Sequence, residues 1–418
     1  MISLNNNVML KKNKFLTFIT FTVIIISSRA NFFAYSDEVK VLFALFLLII
    51  FFRKNLRFDE IFVRFLLILF LLFLMYFFIW GSLNYYAYLR LFTTILIAYL
   101  FIKIVNKKFI PLYINIIYLL SVVSLIAFGL MILFPYQFHT VNGMLENIFP
   151  FLEVGGPRET NSIIYDSVLG EFRNAGFAWE PGGFAAFVLL ALFFEISNEN
   201  KLLLNRKFLI FSITILSTIS TMAVIAYVFI LFYWLVVNKK FVPALITVFS
   251  LFLILQFVNT DFMREDLVVG WQNRDTVLKN EYSFRNQKFV SLGRFGSLLV
   301  DSQDFIKNPL IGYGFEIEKR TQGMYTYLQR TSGLSDYLAK FGLLGFSFLL
   351  ISLTLFAKRN LKLASEKSNA SHNFIFTLFI LLITFSNPII LEPLFLILIV
   401  EYFSKNGKEG TTNNNRNF

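Results

Sequence analysis

The sequence predicts an all-α polytopic membrane protein: a transmembrane helix bundle of about 12 spans with two large loops on its outer face. Three observations predict it. Of 418 residues, 57% are hydrophobic and 15% charged, more apolar surface than a water-soluble fold hides. The apolar residues fall in runs close to the roughly 20 residues a helix needs to cross the hydrocarbon core. Lysine and arginine gather in alternate short links, as the positive-inside rule requires of cytoplasmic segments.

The spans lie near 15–35, 38–52, 61–80, 85–105, 110–134, 183–197, 208–219, 221–237, 241–258, 335–356, 373–387 and 389–403. Lys11, Lys12 and Lys14 before the apolar run from Phe15 to Ile26 resemble a signal peptide. With so many later spans, an uncleaved first helix is the reading. The stretch 208–237 is too long for one crossing, and Ser217, Thr218, Ser220 and Thr221 supply a polar turn that splits it. With a cytoplasmic N-terminus, Arg53, Lys54, Arg57, Lys103, Lys107, Lys108, Arg206, Lys207, Lys239, Lys240, Lys358 and Arg359 all fall inside. The short outer links carry no Lys or Arg. Two long segments, 135–182 and 259–334, then face outward and hold most of the distinctive polar residues. Within the second, Phe289, Leu292, Phe295, Leu299 and Ile306 recur near helical spacing, predicting an amphipathic helix lying on the membrane surface and ending at Asn308–Pro309. One integral membrane domain over 1–403 and a polar, disordered cytoplasmic tail over 404–418 complete the organisation.

A net charge of +12 raises the question of nucleic acid, but the basic residues sit between apolar runs and form no basic stripe with interleaved aromatics. Nucleic acid is therefore not an expected partner. The absence of cysteine excludes disulfides and thiolate chemistry. The two histidines, His139 and His372, fall on opposite sides of the membrane, which disfavours a histidine metal site or a Ser-His-Asp triad. No metal and no cofactor is expected.

Three constellations offer chemistry. The first runs from Arg173 through Trp179 and Glu180 to Pro181, Gly182 and Gly183, straight into a span. Proline suits a first helical turn and glycines permit close approach. A helix N-terminus presents free N–H groups to an anion. Its plain alternative is a capped helix with Glu180 beside the dipole. The second joins Arg294, between Gly293 and Gly296, to Asn308-Pro-Leu-Ile-Gly312-Tyr313-Gly314. The third is Ser335-Asp336 leading to Gly342-Leu-Leu-Gly345, where Ser335 or Asp336 reads first as a helix cap. Of the charges near spans, Arg90 and Glu392 sit at outer ends, where they snorkel or line a cavity floor, and Arg64 snorkels at an inner end. Trp80 and Trp234 read as interface anchors.

Together these motifs, spread over 173–350, resemble the O-antigen polymerase and O-antigen ligase superfamily of membrane glycosyltransferases. The resemblance implies a GT-C-like helical fold at the cell inner membrane and undecaprenyl-diphosphate-linked glycans as substrates. It implies membrane lipid and a chain-length regulator protein as further partners. The ligase branch carries a histidine before the helix with Gly-Leu-Leu-Gly, where this chain reads Arg330-Thr331-Ser332-Gly333-Leu334. That departure favours polymerisation of repeat units over transfer to lipid A core. Arg173 and Arg294 are then expected on the diphosphate, because guanidinium binds phosphate oxygens bidentately and stays charged. Glu180 is expected as the base, with Asp336 second. Arg158, Arg90, Asp336, Gly182, Gly183, Gly312, Tyr313 and Gly314 are expected around the substrate. A transporter for lipid-linked sugars is the alternative from a different class.

Overall fold

The structure, a computed structural model, describes residues 2–30, 32–148, 173–198, 205–238, 243, 290–291, 294–320, 328–329, 332–361, 369–385 and 387–404. Arg158, the span at 241–258 apart from Pro243, and the tail beyond Ser404 lie outside the described residues.

The apolar runs are helical. They form α1 (Ile2–Ile26), α2 (Phe32–Tyr35), α3 (Asp37–Arg53), α4 (Glu60–Trp80), α5 (Tyr85–Val105), α6 (Phe109–Leu133), α7 (Pro135–Ile148), α8 (Pro181–Asn198), α9 (Arg206–Ser217) and α10 (Thr221–Val237). After the second long segment come α11 (Arg294–Lys307), α12 (Gly333–Asn360), α13 (Asn369–Phe385) and α14 (Pro393–Val400). A two-residue parallel pairing, β1 (Val290–Ser291) with β2 (Leu328–Gln329), ties the start of α11 to the chain before α12. The ends follow local chemistry. The Ser36 hydroxyl accepts from Val39 N at 3.2 Å and Asn84 Oδ1 accepts from Ala87 N at 3.2 Å, capping α3 and α5. Gly81 closes α4 in the left-handed region, at φ 67°. Asn106, at φ 56°, turns the chain between α5 and α6.

Three helical runs, Glu60–Trp80, Tyr85–Leu133 and Gly333–Asn360, are long and apolar enough to cross a membrane. Much of α4 presents Leu67, Phe70, Leu71, Phe78 and Ile79 to its surroundings, a surface that suits lipid and not water. This is a helical membrane protein. In its middle, α14 is buried along its whole length and packs on α5, α12 and α1, while α6, α8, α9 and α10 form a neighbouring layer.

The antiparallel order brings alternate links to opposite ends of the bundle. At one end lie Asp59 with Tyr99 and Lys103, Glu195 with Asn205, His372 with Ser197 and Tyr233, and Arg359 with Glu401. At the other lie Ser28 with Trp179, Asn174 with Ser217, Glu316 with Ser82, and Ser332 with Phe385. The second set joins the links that the sequence places outside, and its members carry the candidate chemistry.

Several expectations are corrected. The first span ends at Ile26 and not near 35, because the chain leaves the helix at Ser27–Ser28. The break at Ser217–Thr221 is present, and Tyr227 reaches Ser212 across the resulting hairpin at 2.9 Å. The last apolar stretch is helical only from Pro393, with eight α-helical residues, about 12 Å of rise. Proline at the first helical position forces Glu392 out of the helix. Trp234 is buried within the bundle and so is not an interface anchor, while Trp80, half-buried at the end of α4, stacks on Tyr313. Finally, the buried face of α11 is Ser297, Val300, Asp301 and Asp304, while Ile306 is 73% exposed. The helix docks by its acidic face because the buried guanidinium of Arg320 meets Asp301 and Asp304 there.

Candidate functional site

The segment 173–180 is fastened before it enters α8. Asn174 donates from its backbone to Ser217 O at 3.1 Å and from its amide to Ser217 Oγ at 2.9 Å, and Arg173 Nε donates to Thr218 O at 3.2 Å. The segment thus rests on the α9–α10 turn. Trp179 N donates to Ser28 O at 3.3 Å, and a Cβ on Gly183 would sit 2.7 Å from the Trp179 ring. Gly183 is therefore glycine so that the indole can lie against the first turn of α8. Gly182 is buried in the same turn, and Glu180 is half-buried at its head, its carbonyl accepting from Phe184 N at 3.0 Å.

Arg29 lies over the Trp179 ring, 5.4 Å from its centroid. It adopts φ 54°, a left-handed conformation that a non-glycine residue keeps only when its contacts insist. Here its Nη1 donates to Pro388 O at 3.0 Å and its Nε lies 3.5 Å from Glu392 Oε1. Glu392 stands at the head of α14, whose Leu394 N is capped by Ser27 Oγ at 3.0 Å. Beside this pair, Lys40 is 1% exposed, and neither its Nζ nor Glu392 Oε2 has a hydrogen-bond partner among the described residues. Arg90 lies 3.4 Å from Asp37 close by. Three cations and two carboxylates share this corner.

A second cluster holds the other two constellations together. Arg320, 2% exposed at its side chain, reaches Asp301 Oδ1 at 3.1 Å, Asp304 Oδ2 at 3.2 Å and Asp336 Oδ1 at 2.8 Å. Ser335 donates to Asp301 Oδ2 at 2.6 Å, and Lys340 binds the remaining oxygen of Asp336. Asp336 is thus a doubly paired carboxylate and does not cap α12; Ser332 occupies the cap position and bonds Phe385 O at 3.0 Å.

The glycine turn docks on the same helix. Tyr313 N donates to Ala339 O at 3.1 Å and Gly314 N to Lys340 O at 2.7 Å, while Leu343 N and Leu344 N return to Pro309 O at 2.8 Å and Leu310 O at 3.0 Å. This exchange opens α12 at Gly342, at φ 59°. A Cβ on Gly312 would lie 2.4 Å from Lys340 O, and one on Gly342 would lie 2.4 Å from Leu310 O. The glycines of both motifs serve one backbone-to-backbone contact. Tyr313 is buried against Trp80, 4.9 Å between rings, and burial pushes its phenol above its ordinary pKa.

The structure brings Trp179 and the first turn of α8, with Glu180, Gly182 and Gly183, beside the Arg29 corner, while Arg173 is held on the α9–α10 turn through Thr218 O. It brings Asp336, Gly312, Tyr313, Gly314 and the helix that begins at Arg294 to the Arg320 cluster. Between the two lies the 384–392 turn. Gly333 packs against the carbonyls of Thr384 and Asn387, and Arg29 bonds the next carbonyl, of Pro388. Sequence reasoning missed Arg29, Lys40 and Arg320. Lys40 had a signal, a charge at the start of an apolar run just after Asp37 and Glu38, which marks function or partnership in a membrane segment. Arg320 had none, because its partners lie 16 to 19 residues away on two different helices. Among the described residues no His, Cys, Asp and Glu group has the makings of a metal site. Comparison with protein-family models, curated proteins and solved structures finds no match to this chain.

Proposed function

We propose that this protein is a membrane glycosyltransferase that polymerises undecaprenyl-diphosphate-linked repeat units at the outer face of the inner membrane. It does so as a GT-C-like bundle of about 12 spans with both termini cytoplasmic. The observation that carries this reading is the meeting, at one end of the bundle, of the three motif segments with the charges of Arg29, Lys40 and Arg320. An apolar groove between α4 and α5, about 360 Å³ and lined by Phe70, Phe73, Leu74, Tyr85 and Leu89, opens beside the same end. It suits a polyprenyl chain.

In the reaction, the hydroxyl oxygen of an incoming lipid-linked unit attacks the anomeric carbon of the growing chain. The bond from that carbon to the diphosphate breaks, and its electron pair leaves on the lipid diphosphate. The hydroxyl proton passes to Glu180. Asp336, engaged by Arg320 and Lys340, is left to position α11 and α12. Arg173 and Arg294 take up the charge growing on the diphosphate. Unit charges 4 Å apart interact by about 4 kcal/mol at an effective dielectric near 20, so two arginines supply a large share of the stabilisation.

The test is purified protein in nanodiscs with lipid-linked repeat units. A ladder of products supports the proposal, and single units after long incubation defeat it. Glu180→Gln should slow the ladder by about 10²–10⁴-fold, the contribution of a general base. One observation favours a second reading, a transporter of the same lipid-linked sugars. The chain is unwound at Ile389–Glu392 ahead of the short, buried α14, and broken helices are common at transport sites. Movement of lipid-linked units across sealed vesicles without a ladder would select it.

A further inference from the structure

Two buried charges of opposite sign stand near each other without meeting. Lys40, in the first turns of α3, has its ammonium out of solvent, and the charged groups whose fields reach it are Glu392, Arg90, Asp37 and Arg29. None of them makes an ion pair with it among the described residues. Asp37 is committed to Arg90 at 3.4 Å, and Glu392 Oε1 to Arg29 at 3.5 Å. Glu392 Oε2 is buried and unpartnered as well. An uncompensated buried ammonium is among the costliest groups a fold holds, and it persists where a ligand supplies the missing charge. The corner is also built. Arg29 is clamped by Trp179, Pro388 and Glu392 in a left-handed backbone conformation, and the head of α14 is fixed to Ser27.

We infer that Lys40, Arg29 and Glu392 form a binding site for a sugar phosphate. The ammonium and guanidinium take phosphate oxygens, and the free carboxylate oxygen accepts from a sugar hydroxyl. Three cations against two carboxylates leave the corner one positive charge in surplus, the balance an anion restores. A phosphate alone satisfies Lys40 but leaves Glu392 Oε2 beside like charge, whereas a glycosyl phosphate satisfies both. The phosphate belongs to a lipid head group if the glycosyltransferase reading holds, and the site rests on that reading only for its source.

The experiment uses the full chain in nanodiscs, following the thermal midpoint and the affinity for three probes: undecaprenyl diphosphate, N-acetylglucosamine 1-phosphate and inorganic pyrophosphate. Lys40→Met should weaken binding at least about tenfold, the loss of one charge-assisted hydrogen bond. Its ligand-free midpoint should equal or exceed the wild-type value, because the variant discards an unpaired buried charge. Glu392→Gln should retain pyrophosphate binding and lose the preference for the sugar phosphate. A response to the lipid alone assigns the source to a head group, and a response to the soluble sugar phosphate assigns it to the glycosyl phosphate itself. No response to any probe overturns the proposal. So does binding by Lys40→Met within about twofold of wild type, or a drop of several degrees in its ligand-free midpoint, which would make Lys40 a structural counter-charge. A ladder made by wild type alongside undiminished binding by Lys40→Met rejects this site and leaves the polymerase reading. Lysine-dependent binding without any ladder does the reverse.

Discussion

The two charge clusters at one end of the bundle have similar ingredients and opposite states of completion. Around Arg320, three aspartates face one guanidinium and one ammonium, and the shared hydrogen bonds of 2.6–3.2 Å engage each carboxylate. Around Arg29, one oxygen of Glu392 and the ammonium of Lys40 have no hydrogen-bond partner among the described residues. A completed buried network fixes one arrangement of α11, the 308–320 turn and α12, and it has nothing left to offer a ligand. An incomplete one is less favourable for the folded chain and keeps donors in reserve. The difference separates a clamp from a site more sharply than either motif content or charge count does.

That contrast is breakable. Arg320→Ala removes the one guanidinium that joins Asp301, Asp304 and Asp336 and should cost about 3–5 kcal/mol. The expected readout is loss of folded protein from detergent extracts and a large drop in thermal midpoint. Equal stability would show that the cluster is not a clamp. Gly312→Ala should cost about 1–3 kcal/mol from its left-handed backbone alone, and more because the new Cβ meets the Lys340 carbonyl. Gly342→Ala should match it, since the two glycines share one contact, and the double variant should cost less than the sum. A thermal double-mutant cycle reads that coupling. At the other corner, Arg29→Gln should cost about 1–3 kcal/mol, less than Arg320→Ala because glutamine still donates to the buried Glu392, and should weaken phosphate probes in the binding assay. The smallest effect belongs to Arg64, whose bond to Glu60 lies on an exposed helix face. Arg64→Ala should change the thermal midpoint by no more than about 0.5 kcal/mol allows.

Much of the fold was legible because a bilayer imposes it. Apolar runs of crossing length, with basic residues at alternate ends, give α3, α4, α5 and α6 within a residue or two of their observed bounds. The exceptions have local causes. Pro393 was readable as a helix start, yet the surrounding apolar composition hid it, and the last stretch was drawn too long. In α11 the hydrophobic stripe was real in the sequence, but Ile306 faces outward and Asp301 and Asp304 face in. Periodicity identifies a stripe and leaves open whether protein or lipid covers it. Of the candidate site, Arg173 and Glu180 were legible as an Arg, Glu and Gly-Gly run leading into a span, and Asp336 as a polar residue at a helix start. Asp336 has two cationic partners, and no pattern along the chain could announce them.

By itself, then, the sequence determined that the chain is helical, where most helices start and stop, and which ends carry charge. These follow from local hydrogen bonding and from apolar length against bilayer thickness, both properties of contiguous residues. The tertiary structure alone decided which charges are answered and which are not. That question depends on contacts between residues far apart along the chain, such as Arg29 with Pro388, 359 positions away, and with Glu392. A buried charge gains or loses stability through groups a few ångströms away in space, whatever their distance along the chain.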